Sequence, residues 1–102
     1  MPTQETQNMI PKIHNYFMSQ PVEYAYLFGS RSRGEDTSDS DVDILIKLDP
    51  STPIGLFKYV GMINDLENIL GRQVDLVDEA GLDRYAKPFV DKDKILIYER
   101  AR

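Results

Sequence analysis

The chain has 102 residues, of which 41% are hydrophobic, and it carries a formal net charge of −5. This length allows one hydrophobic core but is too short for two, so a single domain over residues 1–102 is expected. The negative charge argues against salt-driven binding to nucleic acid, which needs faces rich in lysine and arginine. Cysteine is absent, so any metal ion must be held by oxygen ligands or by His14.

Apolar runs in the sequence are short. None approaches the roughly 20 residues that a membrane-spanning helix needs, so no membrane partner is expected. The first eight residues are polar and lack the apolar centre of a secretion signal. The expected location is therefore the cytoplasm.

The first part of the chain has the pattern of a helix followed by a strand. Apolar residues recur at helical spacing over positions 4–19, although Pro11 falls inside the pattern and leaves open whether the helix begins there. Val22–Phe28 alternates, with its aromatic side chains on one face, which predicts a strand that ends at Gly29. The polar residues 30–40 predict a loop or one short helix.

The second part has the pattern of three more strands and two helical segments. Val42–Leu48 alternates like the first strand. Thr52 and Pro53 predict the N-cap and first residue of a helix that Gly71 ends. Residues 73–77 and 94–98 predict further strands, and residues 82–90 predict helical turns interrupted at Pro88. This order predicts an α/β (α+β) fold, in which two helices pack on one face of a mixed sheet of about four strands.

The most informative segment joins the first two strands. It reads Gly29-Ser30, then ten residues, then Asp41-Val42-Asp43. Residues i and i+2 of a strand point the same way, about 6.6 Å apart along it, so Asp41 and Asp43 project together. Such a pair can bind two metal ions roughly 3.5–4 Å apart. Carboxylate oxygens favour Mg²⁺, whose coordination is completed by water and substrate phosphates.

Four other residues fit the same chemistry. Asp75 lies between two apolar residues of the predicted third strand, and it converges with the first two carboxylates if that strand neighbours the second. Gly29 permits a sharp turn whose N–H groups approach phosphate oxygens, and the Ser30 hydroxyl is an added donor. A short helix after this turn would favour an anion at its N-terminus. Arg33, about one helical turn further on, is expected to pair with triphosphate oxygens.

These residues resemble the motif of the minimal nucleotidyltransferases (MNT) of the DNA polymerase β-like superfamily. The shared pattern is Gly-Ser, about ten residues, Asp-x-Asp and a third acidic residue on a later strand, and it covers roughly residues 22–98. The resemblance implies a nucleotidyltransferase fold that uses a nucleoside triphosphate with two Mg²⁺ ions, or Mn²⁺ in their place. It also implies that Asp41 and Asp43 hold both ions, and that Asp75 helps to hold the one that activates the acceptor hydroxyl.

The sequence leaves the acceptor open. The catalytic elements account for nearly the whole chain, so the acceptor is expected to come from a partner protein. The resemblance extends to MNT antitoxins paired with HEPN ribonuclease toxins, for which the implied reaction is AMP transfer from ATP to a toxin tyrosine. Two alternatives remain, namely a binding module that neutralises a partner without catalysis, and a transferase that acts on a small-molecule hydroxyl such as that of an antibiotic.

Overall fold

The computed structural model describes residues 1–101, so the last residue of the expected domain, Arg102, lies outside the described residues. The helices and strands alternate in the order that the sequence predicts. They are α1 (Gln4–Phe17), β1 (Val22–Phe28), α2 (Ser30–Arg33), β2 (Val42–Leu48), α3 (Leu56–Leu70), β3 (Val74–Asp78), α4 (Lys87–Asp93) and β4 (Ile95–Glu99). A single 3-10 turn, Glu79–Gly81, follows β3.

The four strands form one mixed sheet in the order β3-β2-β1-β4. Strand β1 is antiparallel to both of its neighbours, β2 and β4. Strands β2 and β3 are parallel. A parallel pair cannot be joined by a tight hairpin, and α3 provides the crossover between these two strands. The predicted mixed α/β fold is therefore confirmed.

The hydrophobic core lies between one face of the sheet and the helices α1 and α3. Its fully buried members alternate along the strand and recur at i and i+4 on the helices, as an amphipathic pattern requires. They include Val42, Ile44 and Ile46 of β2, Ile13 and Phe17 of α1, and Met62 and Leu66 of α3. Two helices thus cover one face of the sheet, as the sequence predicts.

The other face of the sheet carries the acidic residues. Asp43 and Leu45 have the opposite parity to the core residues of β2, so they project to this side. Leu45 is nevertheless only 1% exposed, and the 3-10 turn packs on β2. Helix α4 lies near the end of β1, where Phe28 and Val90 line one cleft. The part of this face around Leu45 is therefore covered, whereas Asp43 at the start of β2 is only partly buried.

The beginning of α3 differs from the prediction. Thr52 and Pro53 do not start the helix, which begins at Leu56 after Gly55. The hydroxyl of Thr52 donates to the Asp49 carboxylate at 3.4 Å, as does that of Ser51 at 2.7 Å. These local hydrogen bonds compete with a helical cap and hold the segment in a turn.

Pro11, which left the start of the first helix open, and Pro88, which was predicted to interrupt helical turns over residues 82–90, both lie inside helices. Helix α1 starts at Gln4 with Thr3 as its N-cap and runs through Pro11, which removes one helical N–H but does not end the helix. Pro88 does not interrupt α4, because it lies in the first turn, where a missing N–H costs nothing.

Within residues 1–101, no helix has the length and apolar character needed to span a membrane.

Candidate active site

The parallel register of β2 and β3 brings two of the predicted carboxylates side by side. Asp43 is the direct partner of Asp75. Neighbouring strands lie about 4.8 Å apart, and paired residues project to the same face. The condition on which the sequence prediction depended, that the third strand neighbours the second, is therefore met. Asp41 lies two residues before Asp43, just outside the strand, and its side chain is exposed.

The electrostatics of Asp43 reflect this crowding of negative charge. Burial of its carboxyl group, followed by the charges of Asp75 and Asp41, raises the pKa of Asp43 to about 6. Arg33 and Arg31 oppose this effect only partly. Within residues 1–101, none of the ion pairs involves any of the three carboxylates. A bound cation would relieve this repulsion.

The three carboxylates are not gathered into a ready-made metal centre. In the described part of the chain, no group of three or more His, Asp or Glu side chains is arranged to hold a metal ion. Asp41 and Asp75 are exposed, however, so their side chains are free to turn towards a ligand. Hard oxygen donors and an excess of negative charge fit Mg²⁺ or Mn²⁺. The donor set is thus suitable for such an ion, although side-chain rotation must complete it.

The Gly29-Ser30 turn packs directly against Asp43. Gly29 has φ +75° and ψ −157°, a conformation that side chains other than glycine rarely adopt. A β-carbon at this position would lie 2.2 Å from Asp43 Oδ2. Ser30 opens α2, but this helix has only four residues, so the backbone of the turn matters more than any helix dipole. The turn therefore places its backbone next to the carboxylates.

Arg33 lies beside the turn but is already paired. Its Nε donates to Glu35 at 2.8 Å, and its Nη1 donates to Asp93 of α4 at 2.8 Å. The side chain remains 41% exposed. It lines a cleft of about 250 Å³ together with Phe28, Gly29 and the apolar residues of α4. These two contacts use Nε and Nη1, so within residues 1–101 Nη2 keeps its N–H groups for a further acceptor such as a phosphate oxygen.

Sequence reasoning missed Arg31. Residues two apart on a helix point in nearly opposite directions, so of Arg31 and Arg33 one must face the interior. Arg31 is the buried one, with a side chain 0% exposed. The spacing predicts that the two arginine side chains point in different directions. Only the contact of α1 with this segment shows which of them is buried.

An open polar cleft of about 440 Å³ borders Asp41. It lies between the loop that precedes β2 and the junction of α3 with β3. Its lining residues are Ser38, Asp39, Asp41, Gly71, Arg72 and Gln73. Of the three carboxylates, Asp41 is the one that lines this cleft.

The fold and this site define a nucleotidyltransferase. A model of the polymerase beta nucleotidyltransferase family matches residues 11–102, and the chain belongs to that family. Six relatives found among curated proteins all carry protein adenylyltransferase in their names. One of them, a provisionally named protein adenylyltransferase of Methanocaldococcus jannaschii, is 38% identical over 77 residues, which cover 74% of this chain and 77% of the relative.

One solved structure supports the expected place within the family, and a second has the same fold. A provisionally assigned minimal nucleotidyltransferase is 26% identical, with a TM-score of 0.76 over 93% of this chain and 95% of its own. A chain from the complex of a tri-AMPylated Shewanella oneidensis HEPN toxin with its MNT antitoxin has a TM-score of 0.68. That match covers 92% of this chain and 72% of the other, and at 21% identity it shows the fold alone. The resemblance to minimal nucleotidyltransferases is thus confirmed.

Proposed function

We propose that this protein transfers AMP from ATP to a hydroxyl group of a partner protein in a Mg²⁺-dependent reaction. The observation that carries the proposal is the pairing of Asp43 with Asp75 on parallel strands, next to the Gly29-Ser30 turn. This arrangement combines acidic metal ligands with a phosphate-binding turn at one end of the strands β1, β2 and β3. The names of the relatives support AMP as the transferred group and a protein as the acceptor.

In this proposal two sets of residues bind the substrate and its ions. Two divalent ions would be held by Asp41, Asp43 and Asp75. The triphosphate would be held by the backbone of Gly29 and Ser30, the Ser30 hydroxyl and Arg33. Bound Mg²⁺ would neutralise phosphate charge and make the attacking hydroxyl more acidic. Arg33 would bind a phosphate oxygen through Nη2, or would exchange Glu35 or Asp93 for it. Such an exchange costs little because part-exposed ion pairs contribute little to stability.

The order of the strands supports an in-line displacement. Asp75 on β3 and Gly29 at the end of β1 flank Asp43 on β2 from opposite sides. An acceptor oxygen that enters on the Asp75 side attacks the α-phosphorus, and the bond from that phosphorus to the β-phosphate oxygen breaks. Pyrophosphate then leaves on the side of the Gly29-Ser30 turn. In this proposal Asp75, which is exposed on the acceptor side, would take the hydroxyl proton.

The acceptor that we propose is a tyrosine of a HEPN-type protein. The Shewanella oneidensis complex, in which an MNT antitoxin is bound to an AMPylated HEPN toxin, supports this choice. The open cleft beside Asp41 is consistent with an acceptor that comes from another molecule. ATP is an intracellular metabolite, so we propose the cytoplasm as the place of the reaction.

A non-catalytic antitoxin is the second candidate. The observation that favours it is that the carboxylates of residues 1–101 are not preassembled around a metal position. In that case the protein would neutralise its partner by binding alone. The transferase proposal differs because it requires a covalent change of the partner.

The experiment that tests the proposal follows the mass of the partner. The protein is mixed with ATP, Mg²⁺ and a HEPN-type protein as the proposed partner, and the intact mass of that partner is measured with wild type and with Asp43→Asn. A mass increase equal to one or more AMP units, absent with Asp43→Asn, is the expected result. Neutralisation of the partner without any mass change would favour the binding module. Transfer to an added aminoglycoside, with an unmodified partner, would favour a small-molecule acceptor.

A further inference from the structure

Arg31 is a buried cation that joins three separate segments. Its Nη1 donates to Thr6 Oγ1 at 3.1 Å in α1 and to Asp36 Oδ2 at 3.2 Å in the loop before β2. The Asp36 side chain is itself only 3% exposed. A guanidinium pairs with several acceptors in fixed directions, so this contact sets the geometry of its partners as well as their charge.

The other side of the same guanidinium donates two hydrogen bonds to one backbone carbonyl. Nε and Nη2 of Arg31 donate to the carbonyl oxygen of Ser40, at 3.2 and 2.8 Å. Ser40 is the residue immediately before Asp41. Arg31 also follows the Gly29-Ser30 turn directly in sequence. One side chain therefore links the turn to the residue that precedes the first carboxylate.

Asp41 has few other restraints. It lies outside β2, whose first residue, Val42, donates its backbone N–H to Gln73 at 2.8 Å. On the other side, Ser40 takes part in a turn with Thr37, whose N–H donates to the Ser40 hydroxyl at 2.9 Å. Residues 37–39 are exposed. The strand thus fixes Asp41 from one side only, and the contact between Arg31 and Ser40 fixes it from the other.

We propose that Arg31 is a positioning residue that fixes Asp41 relative to the Gly29-Ser30 turn by holding the Ser40 carbonyl. It touches neither nucleotide nor metal and acts through the backbone. The effect on transfer rests on the proposed function, whereas the effect on the loop does not. An apolar residue in this place would leave the Ser40 carbonyl without the two N–H donors of Arg31. It would also leave the Asp36 carboxylate without its charged partner, with only the hydroxyls of Thr3 and Thr6 as donors.

The chain contains a matched control in Arg100. This arginine also binds one carboxylate, Asp49 Oδ2 at 2.8 Å, and one backbone carbonyl, that of Gln20 at 3.3 Å. It follows β4 at the end of the sheet opposite to Asp43. Arg31→Lys and Arg100→Lys therefore remove the same kind of contact at two places. Asp36→Asn and Thr6→Val weaken the two Nη1 contacts that hold the guanidinium in position against the Ser40 carbonyl, and these variants are used if Arg31→Lys does not fold.

The first measurement is the Mg²⁺ concentration that gives half of the maximal transfer rate. Each rate is divided by the fraction of protein that is folded. Loss of a group that orients a metal ligand commonly costs roughly 10- to 100-fold in metal affinity or activity. We expect a rise of that order for Arg31→Lys and none for Arg100→Lys. A purely structural role would lower the folded fraction without changing the Mg²⁺ requirement. A wild-type requirement in folded Arg31→Lys, or in both milder variants if it does not fold, overturns the proposal.

The second measurement does not depend on catalysis. Amide hydrogen exchange of residues 37–42 is compared with that of residues 62–66 in α3, which serve as an internal reference. Arg31→Lys, or the milder variants in its place, should speed exchange of the first segment relative to the second, and Arg100→Lys should not. If the wild-type protein transfers nothing, the proposed function fails and this comparison alone decides. Unchanged relative exchange in that case overturns the positioning role.

Discussion

A β-carbon on Gly29 would lie 2.2 Å from Oδ2 of Asp43, closer than any non-bonded contact allows. The same residue has φ +75°, in the region that favours glycine. Two independent constraints thus coincide at one position, where the turn closes on the most buried of the three carboxylates. The close packing of the turn on the Asp43 carboxylate therefore requires glycine at position 29.

This relationship predicts the effect of Gly29→Ala. The backbone strain alone costs about 1–3 kcal/mol, and the clash with Asp43 adds to it, so we expect a lower free energy of unfolding and loss of transfer. Urea denaturation measures the first and partner mass the second. Gly61→Ala is the control, because its β-carbon meets nothing within 4 Å and it lies inside α3. There alanine should stabilise the protein by roughly 0.5–1 kcal/mol.

The carboxylate repulsion predicts stabilisation by divalent metal with ATP. A ligand that binds only the folded state raises its stability, by about 2.7 kcal/mol at a hundred times the dissociation constant. Mg²⁺ or Mn²⁺ with ATP should therefore raise the melting temperature, and Asp41→Asn or Asp43→Asn should remove the rise. Glu99→Gln, an exposed acid on the distant end of β4, should keep it. An unchanged melting temperature in the wild type, with no heat of binding by calorimetry, would contradict the site.

The phosphate-binding role predicts that Ser30→Ala and Arg33→Ala weaken ATP affinity without unfolding the protein. A hydrogen bond to a charged group typically contributes about 1.5–3 kcal/mol, which corresponds to a loss of roughly ten- to a hundredfold. Calorimetric titration with Mg²⁺ and ATP measures it. The exposed Arg84→Ala serves as the charge-matched control. Wild-type affinity in both site variants would place the triphosphate elsewhere.

Asp75 is expected to matter more for chemistry than for binding. Asp75→Asn should retain much of the ATP affinity, because Asp41 and Asp43 would still hold a metal ion on the phosphates in the proposed reaction. It should nearly abolish transfer. The reason is that the acceptor proton must leave as its oxygen attacks. The affinity comes from calorimetry and the rate from the partner's mass over time. Transfer at the wild-type rate would show that the role assigned to Asp75 is wrong.

Asp49 predicts how stability depends on pH. Hydrogen bonds from the Arg100 side chain, and then from Ser51, hold the pKa of the Asp49 carboxyl well below its usual range. Because the folded-state pKa is the lower one, these contacts stabilise the fold above the unfolded-state pKa of about 3.9 and are lost as pH falls through the folded-state value. Asp49→Asn should therefore be less stable than wild type at neutral pH.

The same contacts predict that this difference shrinks as the pH falls below about 3.9. Urea denaturation across this pH range measures it. Arg100→Met removes the main cause of the shift, so it should flatten the pH dependence in the same way. A difference between Asp49→Asn and wild type that is constant over the whole range would contradict the assignment.

Much of this protein follows from local sequence. The alternation of Val42–Leu48 fixes both the strand and the face on which Asp43 lies, because side chains alternate strictly along a strand. Gly71, in the left-handed conformation, ends α3 where the sequence predicts. The Gly-Ser and Asp-x-Asp spacing is sufficient to indicate the family. The glycine and serine suit a phosphate-binding turn, and the two aspartates suit a metal site.

Only the tertiary structure decided how these parts meet. The placement of β3 beside β2, with Asp75 opposite Asp43, is a pairing between strands separated by a whole helix, which no local pattern encodes. The choice between Arg31 and Arg33 as the buried arginine depends on Thr6, which is distant in sequence. Burial and strand pairing are non-local, so these features emerge only when the chain is folded.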